Sequence, residues 1–324
     1  MLVLGYGDVS RLLPMEECIE VMSDTLAALA RGELYQPLRS VVRPPDGAGL
    51  IGLMPAHRVA PPAAFGLKAI NIIPGNPERG LDAHQGVVLL SDGETGELLA
   101  VLNASAITAI RTAAVSAVAT RALAREDARK LAVIGAGVQA RSHLRAMAAV
   151  RSFERGRVWS RTAANAERLA AEAAAPFPVE VAENAEAAVQ GADVIVTATT
   201  SPEPVLRHEW LAEGAHVNAV GSSLPATREL DTATVAAASL FVDRRESTEN
   251  ESGDYLMPLR EGAIGPDHIR AELGDVLVGA APGRTSSGEL TVFKSLGIAI
   301  EDLAAAEYVV ARARETGAGT EVSF

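Results

Sequence analysis

Residues 131–147 read LAVIGAGVQARSHLRAM: an apolar run, a turn holding two glycines, and then an amphipathic segment. The run up to Ile134 has the composition of a buried strand, and the spacing beyond the turn suits a helix. Gly135 and Gly137 carry no side chains, so the backbone can turn tightly and approach a pyrophosphate. The first amides of the following helix, at Val138 and Gln139, would offer it unpaired donors and a positive dipole end. The pattern is GxGxxA, with Ala140 in the third place. Such a match alone is weak, and its surroundings must decide.

Those surroundings repeat one theme. KLAVIG (130–135), RVWS (157–160), PVEVAE (178–183), ADVIVTAT (192–199), AHVNAVG (215–221) and SLFVDR (239–244) alternate with Ala-rich helical segments such as TAANAERLAAEAAA (162–175). Short Val/Ile-rich strands separated by helices pair in parallel through right-handed crossovers, which predicts an α/β fold with a doubly wound parallel (Rossmann) sheet. The glycine turn follows the first strand of that sheet, where a dinucleotide fold needs it. Residues 245–290, rich in Gly, Pro and Glu, are expected to finish this domain as helices and loops.

Residues 1–104 differ. A helix is expected from about Pro14 to Arg31, then strands GLIGLMPA (49–56), FGLKAINIIP (65–74), QGVVLLSD (85–92) and ELLAVLNA (97–104), the last two flanking a DGETG turn. This predicts a smaller, separate α+β domain with a mixed sheet. Ser105–Arg125 reads as a long Ala-rich helix between the domains, and IAIEDLAAAEYVVARA (298–313) as a helix returning to the first. The expected partition is 1–112 plus 298–324 around 113–297.

The 324 residues are 48% hydrophobic, enough for two medium cores, and 29 basic against 41 acidic residues give a formal charge of −12. That balance argues against nucleic acid and anionic membranes as partners. The single cysteine, Cys18, excludes an internal disulfide and CxxC metal ligation. Six histidines show no HxH or HxxxH spacing, so no metal site is expected. The first residues lack a signal-peptide pattern, and no stretch reaches the ~18 uninterrupted apolar residues of a membrane span, so a cytoplasmic protein is expected.

Four segments, AITAIRTAAVSAVA (106–119), AVIGAGVQAR (132–141), HVNAVGSSLPATREL (216–230) and TVFKSLGIAIEDLA (291–304), together resemble the ornithine cyclodeaminase/mu-crystallin family. The resemblance implies a substrate and dimerisation domain closed by the C-terminal helix, an inserted dinucleotide domain, and a homodimer. It also implies hydride exchange at a carbon bearing nitrogen and a carboxylate. The family includes ornithine cyclodeaminases, ketimine reductases and alanine dehydrogenases.

Lys68 is a charge between apolar neighbours in FGLKAINIIP. It reads either as an edge-strand lysine reaching solvent or, by the resemblance, as a residue that binds substrate and moves a proton. Arg111, in a helix otherwise almost all Ala, Ile, Thr and Val, is either an ion-pair partner of another element or the arginine that grips the substrate carboxylate. Thr112 resembles a cofactor phosphate contact. Arg39 is favoured over Arg43 as a second carboxylate-binding arginine, and His84 is a further candidate acid. Asp302 reads as a helix-start or packing residue.

The second strand ends in Ser160–Arg161–Thr162, with no carboxylate to hold a ribose 2′-hydroxyl or repel a 2′-phosphate, so NADP(H) is preferred and NAD(H) stays open. Thr197 and Thr199 after the fourth strand, and Val220 and Gly221 after the fifth, are expected to line the nicotinamide side. Two departures from the cyclodeaminase pattern matter. Ser223 stands where that branch has a catalytic aspartate, and Gly52 where it has a glutamate before LMP. Both favour the reductase branch, acting on a small imino or amino acid.

Overall fold

The computed structural model describes every residue except Asp46, Ala48 and Phe324, and the side chain of Pro77. The chain forms two compact units, Met1–Arg111 with Gly297–Phe324, and Thr112–Leu296.

The second unit is built on eight parallel strands: Lys130–Ile134, Arg155–Trp159, Val179–Val181, Val194–Thr197, His216–Ala219, Ser239–Val242, Ile269–Glu272 and Thr291–Lys294. In the sheet their order is third, second, first, fourth, fifth, eighth, sixth, seventh. This is the doubly wound arrangement. Ala132, Val133, Ile134, Val194, Ile195, Val196 and Val217 are all fully buried, the continuous apolar runs expected of strands covered on both faces. The order reverses between Lys130–Ile134 and Val194–Thr197, and ligands of such sheets bind beyond the strand ends at that point.

Two strands depart from the sequence reading. Thr291–Lys294 lies in the middle of the sheet, between His216–Ala219 and Ser239–Val242. Ile269–Glu272 forms one edge, inside a region expected to hold only helices and loops. Each is four residues long, too short to display a period, and Thr291–Lys294 is separated along the chain from both its sheet neighbours by the strand Ile269–Glu272.

In the first unit the sheet runs Thr320–Glu321, Leu2–Leu4, Leu98–Asn103, His84–Asp92, Ala64–Ile72, Leu50–Arg58, Leu34–Tyr35, with Ser40–Val42 also paired to Leu50–Arg58. Only Leu2–Leu4 with Leu98–Asn103 is parallel, so the sheet is mixed. The expected first helix is Met15–Ala30; Leu2–Leu4 and the helix Tyr6–Leu12 precede it and were not anticipated. Helix Ala299–Thr316 packs on Met15–Ala30 and on the three long strands from Leu50 to Asp92. Along Ala64–Ile72 the residues alternate: Ala64, Gly66, Lys68 and Ile70 are buried, while Phe65 is exposed and Leu67 and Ala69 half-buried. Gly66 lets the helix come close, since a Cβ there would sit 3.0 Å from Leu303.

Helix Ala104–Leu123 leads from the first unit into the second. Among the described helices it alone is long and apolar enough to cross a membrane, and 78% of its most apolar 18-residue window is buried inside the protein.

Candidate active site

Period-2 alternation turns Lys68 onto the buried face of its strand, so the solvent-reaching alternative does not hold. Its side chain is 3% exposed, and Nζ lies 2.7 Å from Asp302 Oδ2. Arg111 Nε donates to Asp302 Oδ1 at 2.9 Å and Nη1 to Glu301 Oε2 at 2.6 Å. Glu301 and Asp302 both occupy the first turn of Ala299–Thr316, where the helix dipole favours carboxylates. Asp302 is therefore no simple helix-start residue: it is the carboxylate shared by the two buried cations. The sequence reading missed this because a first-turn aspartate already has a local explanation, and the pairing spans 191 positions along the chain.

Gly297 is essential to the arrangement. Its φ of +71° is strained for other residues, and a Cβ there would overlap the Arg111 guanidinium. Its carbonyl accepts from Arg39 Nη2 at 3.0 Å, which brings the third predicted cation to the same segment. Lys68 and Arg111 are matched by the carboxylates of Glu301 and Asp302, and half-buried Arg39 adds a third cation at the same segment. Burial pushes the Lys68 ammonium down to about 8, with the charge of Arg111 adding to that effect and Asp302 opposing it. Burial favours the neutral Asp302 carboxyl, but Arg111 and Lys68 outweigh it and hold the group below the usual carboxylate range.

His84 begins the strand His84–Asp92, about half exposed, with Nδ1 4.0 Å from Asp82 Oδ1. It takes no part in the hydrogen bonds that join Lys68, Arg111, Glu301 and Asp302. Gly52 lies on the buried face of Leu50–Arg58 two residues from Met54, the register partner of Lys68. That face offers no carboxylate there.

In the second unit Gly135 has φ +120°, and a Cβ on it would overlap the backbone of Ala198. Gly137 caps helix Val138–Val150 without a side-chain hydrogen bond, and a Cβ on it would meet nothing within 4 Å. Val138, first in the helix, is exposed. An uncapped helix start beside open space is a cradle that fits a pyrophosphate. The carbonyl of Gln139 accepts from His143 Nδ1 at 2.7 Å, while Nε2 faces Ser116 Oγ at 2.9 Å. His143 is thus an internal packing residue, pushed down to about 4 by burial. Thr112 is buried on its helix. Ser160 is half-buried and Arg161 and Thr162 are exposed, directly beyond Arg155–Trp159.

Val220, Gly221 and Thr199 follow their strands at the same end of the sheet, and Ser223 lies half-buried two residues beyond Gly221. Thr197 requires a correction. It is fully buried, and its hydroxyl donates to Glu229 Oε2 at 2.8 Å, so it supports the loops instead of lining a ligand surface. Ser295, the residue after strand Thr291–Lys294, is 1% exposed and its hydroxyl has no hydrogen-bond partner among the described residues. Such an orphan suits a site that takes a polar ligand.

A model of the ornithine cyclodeaminase/mu-crystallin family matches residues 1–317. The chain belongs to this family. It is 44% identical over 278 residues to the ketimine reductase mu-crystallin of Mus musculus, covering 86% of this chain and 85% of that protein. Among solved structures, Thermococcus litoralis Δ1-pyrroline-2-carboxylate reductase, in complex with NADH and L-proline, superposes with a TM-score of 0.96 at 38% identity, covering 99% of this chain and 100% of the other. An archaeal alanine dehydrogenase dimer with bound NAD gives 0.94 at 31% identity, covering 100% and 99%. Lys68, Arg111 and Arg39 thus gather in the first unit, and the glycine turn lies in the second.

Proposed function

We propose that the protein is a nicotinamide-dependent reductase of a 2-imino or cyclic ketimine carboxylate, forming the amino acid, with the reverse dehydrogenation open to the same site. The observation that carries this reading is the buried Lys68–Asp302–Arg111 constellation, in which an ammonium that could carry a proton lies beside a guanidinium whose donors already meet carboxylates. The ketimine reductase and pyrroline-2-carboxylate reductase relatives support it. Reduction of C=N to CH–NH takes one hydride and one proton. When bound, the nicotinamide supplies the hydride; the protein manages the proton and the geometry.

Arg111 and Arg39 would hold the substrate carboxylate, Arg111 exchanging part of its bonding to Glu301 and Asp302 for the incoming anion. Lys68 would give its proton to the imine nitrogen, and Asp302 favours the charged lysine before the transfer. Ser223 would hydrogen-bond the substrate or a water. His84 stays a second, more exposed candidate acid. In the dinucleotide half, Gly135, Gly137, Val138, Gln139 and Thr112 would serve the phosphates. Ser160, Arg161 and Thr162 would hold the adenosine ribose, which favours NADP(H) over NAD(H). Thr199, Val220 and Gly221 would adjoin the nicotinamide. Ser223 and Gly52 in place of carboxylates weigh against ornithine cyclodeamination.

A homodimer in the cytoplasm completes the reading. It is supported by the alanine dehydrogenase dimer and by the face of the first sheet opposite its helices, where Ile51 and Phe65 are exposed beside half-buried Leu53 and Leu67. The deciding experiment follows oxidation of NADPH and NADH with five- and six-membered cyclic ketimine carboxylates, and with pyruvate or oxaloacetate plus ammonia. Turnover of a ketimine with a lower KM for NADPH is expected. Absence of cofactor oxidation across the panel would sink the proposal, and proline released from ornithine without net redox change would replace it by a cyclodeaminase.

A further inference from the structure

At the strand ends of the second unit one buried carboxylate collects three donors. Glu229 is fully buried. Its oxygens accept from Thr197 Oγ1 at 2.8 Å, the Thr199 amide at 2.7 Å and the Gly221 amide at 2.6 Å. Two of these donors belong to the loops that leave adjacent strands, Val194–Thr197 and His216–Ala219. A Cβ on Gly221 would overlap both the Thr199 backbone and the Glu229 carboxylate, so the loops close on that group with no room for a side chain. Glu229 is itself anchored. Its amide and that of Leu230 donate to Asp254 Oδ1 at 2.8 and 3.0 Å, and Asp254 Oδ2 lies 2.9 Å from Lys294 Nζ. Lys294 ends the strand next to His216–Ala219. The chain of groups Glu229–Asp254–Lys294 thus ties together three neighbouring strand ends.

A buried carboxylate is costly unless its lone pairs are filled, and the two half-buried backbone amides that donate to it would lose that partner without it. Neither the glycine turn nor Ser160–Thr162, at the first and second strands, takes part in these bonds. We infer that Glu229 is a positioning residue that holds the loops after the fourth and fifth strands in the arrangement that accepts the nicotinamide half of the cofactor, leaving the adenosine half untouched. This rests on the nicotinamide-cofactor reading above.

The test is Glu229→Gln, which keeps the shape and turns one acceptor into a donor facing other donors. Full-length wild type and variant are titrated with NADPH and with 2′-phospho-ADP-ribose, which lacks the nicotinamide. The variant is expected to lose about tenfold or more in NADPH affinity while its affinity for the fragment stays within about twofold. Equal loss of both ligands, or loss of neither, overturns the role of Glu229. Where the wild type takes NADH and ADP-ribose instead, the same comparison is made with that pair; wild-type protein that binds none of the four overturns the cofactor reading and this inference with it. Should the variant not fold, Thr197→Val removes a single donor: a selective, smaller loss for NADPH, restored by Thr197→Ser, supports the inference, and a non-selective or absent loss overturns it.

Discussion

Lys68 and Arg111 were legible as single letters because each is a charge set among apolar residues, and such charges need partners. Their partners were not legible. Asp302 has an adequate local reason for its position, and Thr197, at a strand end, looks the same whether it faces a ligand or a buried glutamate. Only the folded chain distinguishes these. At this scale Lys68→Ala is expected to lower turnover by about a hundredfold or more, the size of a general-acid contribution, with little change in dinucleotide affinity. Steady-state kinetics and a separate cofactor titration check it. With the Lys68 ammonium held near 8 by burial, imine reduction should decline as pH rises through about 8, because the proton donor is then lost. Amine oxidation, which needs the free base, should rise through the same range. Asp302→Asn removes the negative charge that favours the ammonium, so both limbs should move to lower pH. A limb unmoved in the kcat profiles of that variant would refute the coupling.

At the scale of elements, the glycine turn and the first six strands could be read because composition and alternation act locally. Thr291–Lys294 could not: its place inside the sheet depends on which neighbours accept it. The two glycines of the turn make a paired prediction. Gly135→Ala puts a Cβ into the Ala198 backbone at a φ of +120°, so a clear fall in Tm is expected together with lost dinucleotide binding. Gly137→Ala meets no protein atom within 4 Å. It should melt near the wild-type temperature yet bind NADPH about tenfold more weakly, because the methyl group takes space meant for phosphate. Thermal melts and fluorescence titrations of both variants separate fold from function.

For the whole molecule, the α/β class and a chain returning to its first domain were readable from the order of strand and helix patterns. What covers the first sheet was not, since an apolar strand face has the same sequence whether it meets a helix or another subunit. Phe65, 48% exposed on the face opposite helix Ala299–Thr316, tests this. Phe65→Glu is expected to shift sedimentation from dimer to monomer, with the monomer's far-ultraviolet circular dichroism unchanged; a wild-type monomer would refute the dimer directly.

The discontinuity of the first unit also dictates an order of events during synthesis. The second unit is one unbroken segment, Thr112–Leu296, and can close its sheet as soon as it leaves the ribosome. The unit that begins the chain is finished last. Until Ala299–Thr316 emerges, Lys68 and Arg111 wait in a half-built core without Glu301 and Asp302, and a chain stopped short of Gly297 lacks both of these carboxylates.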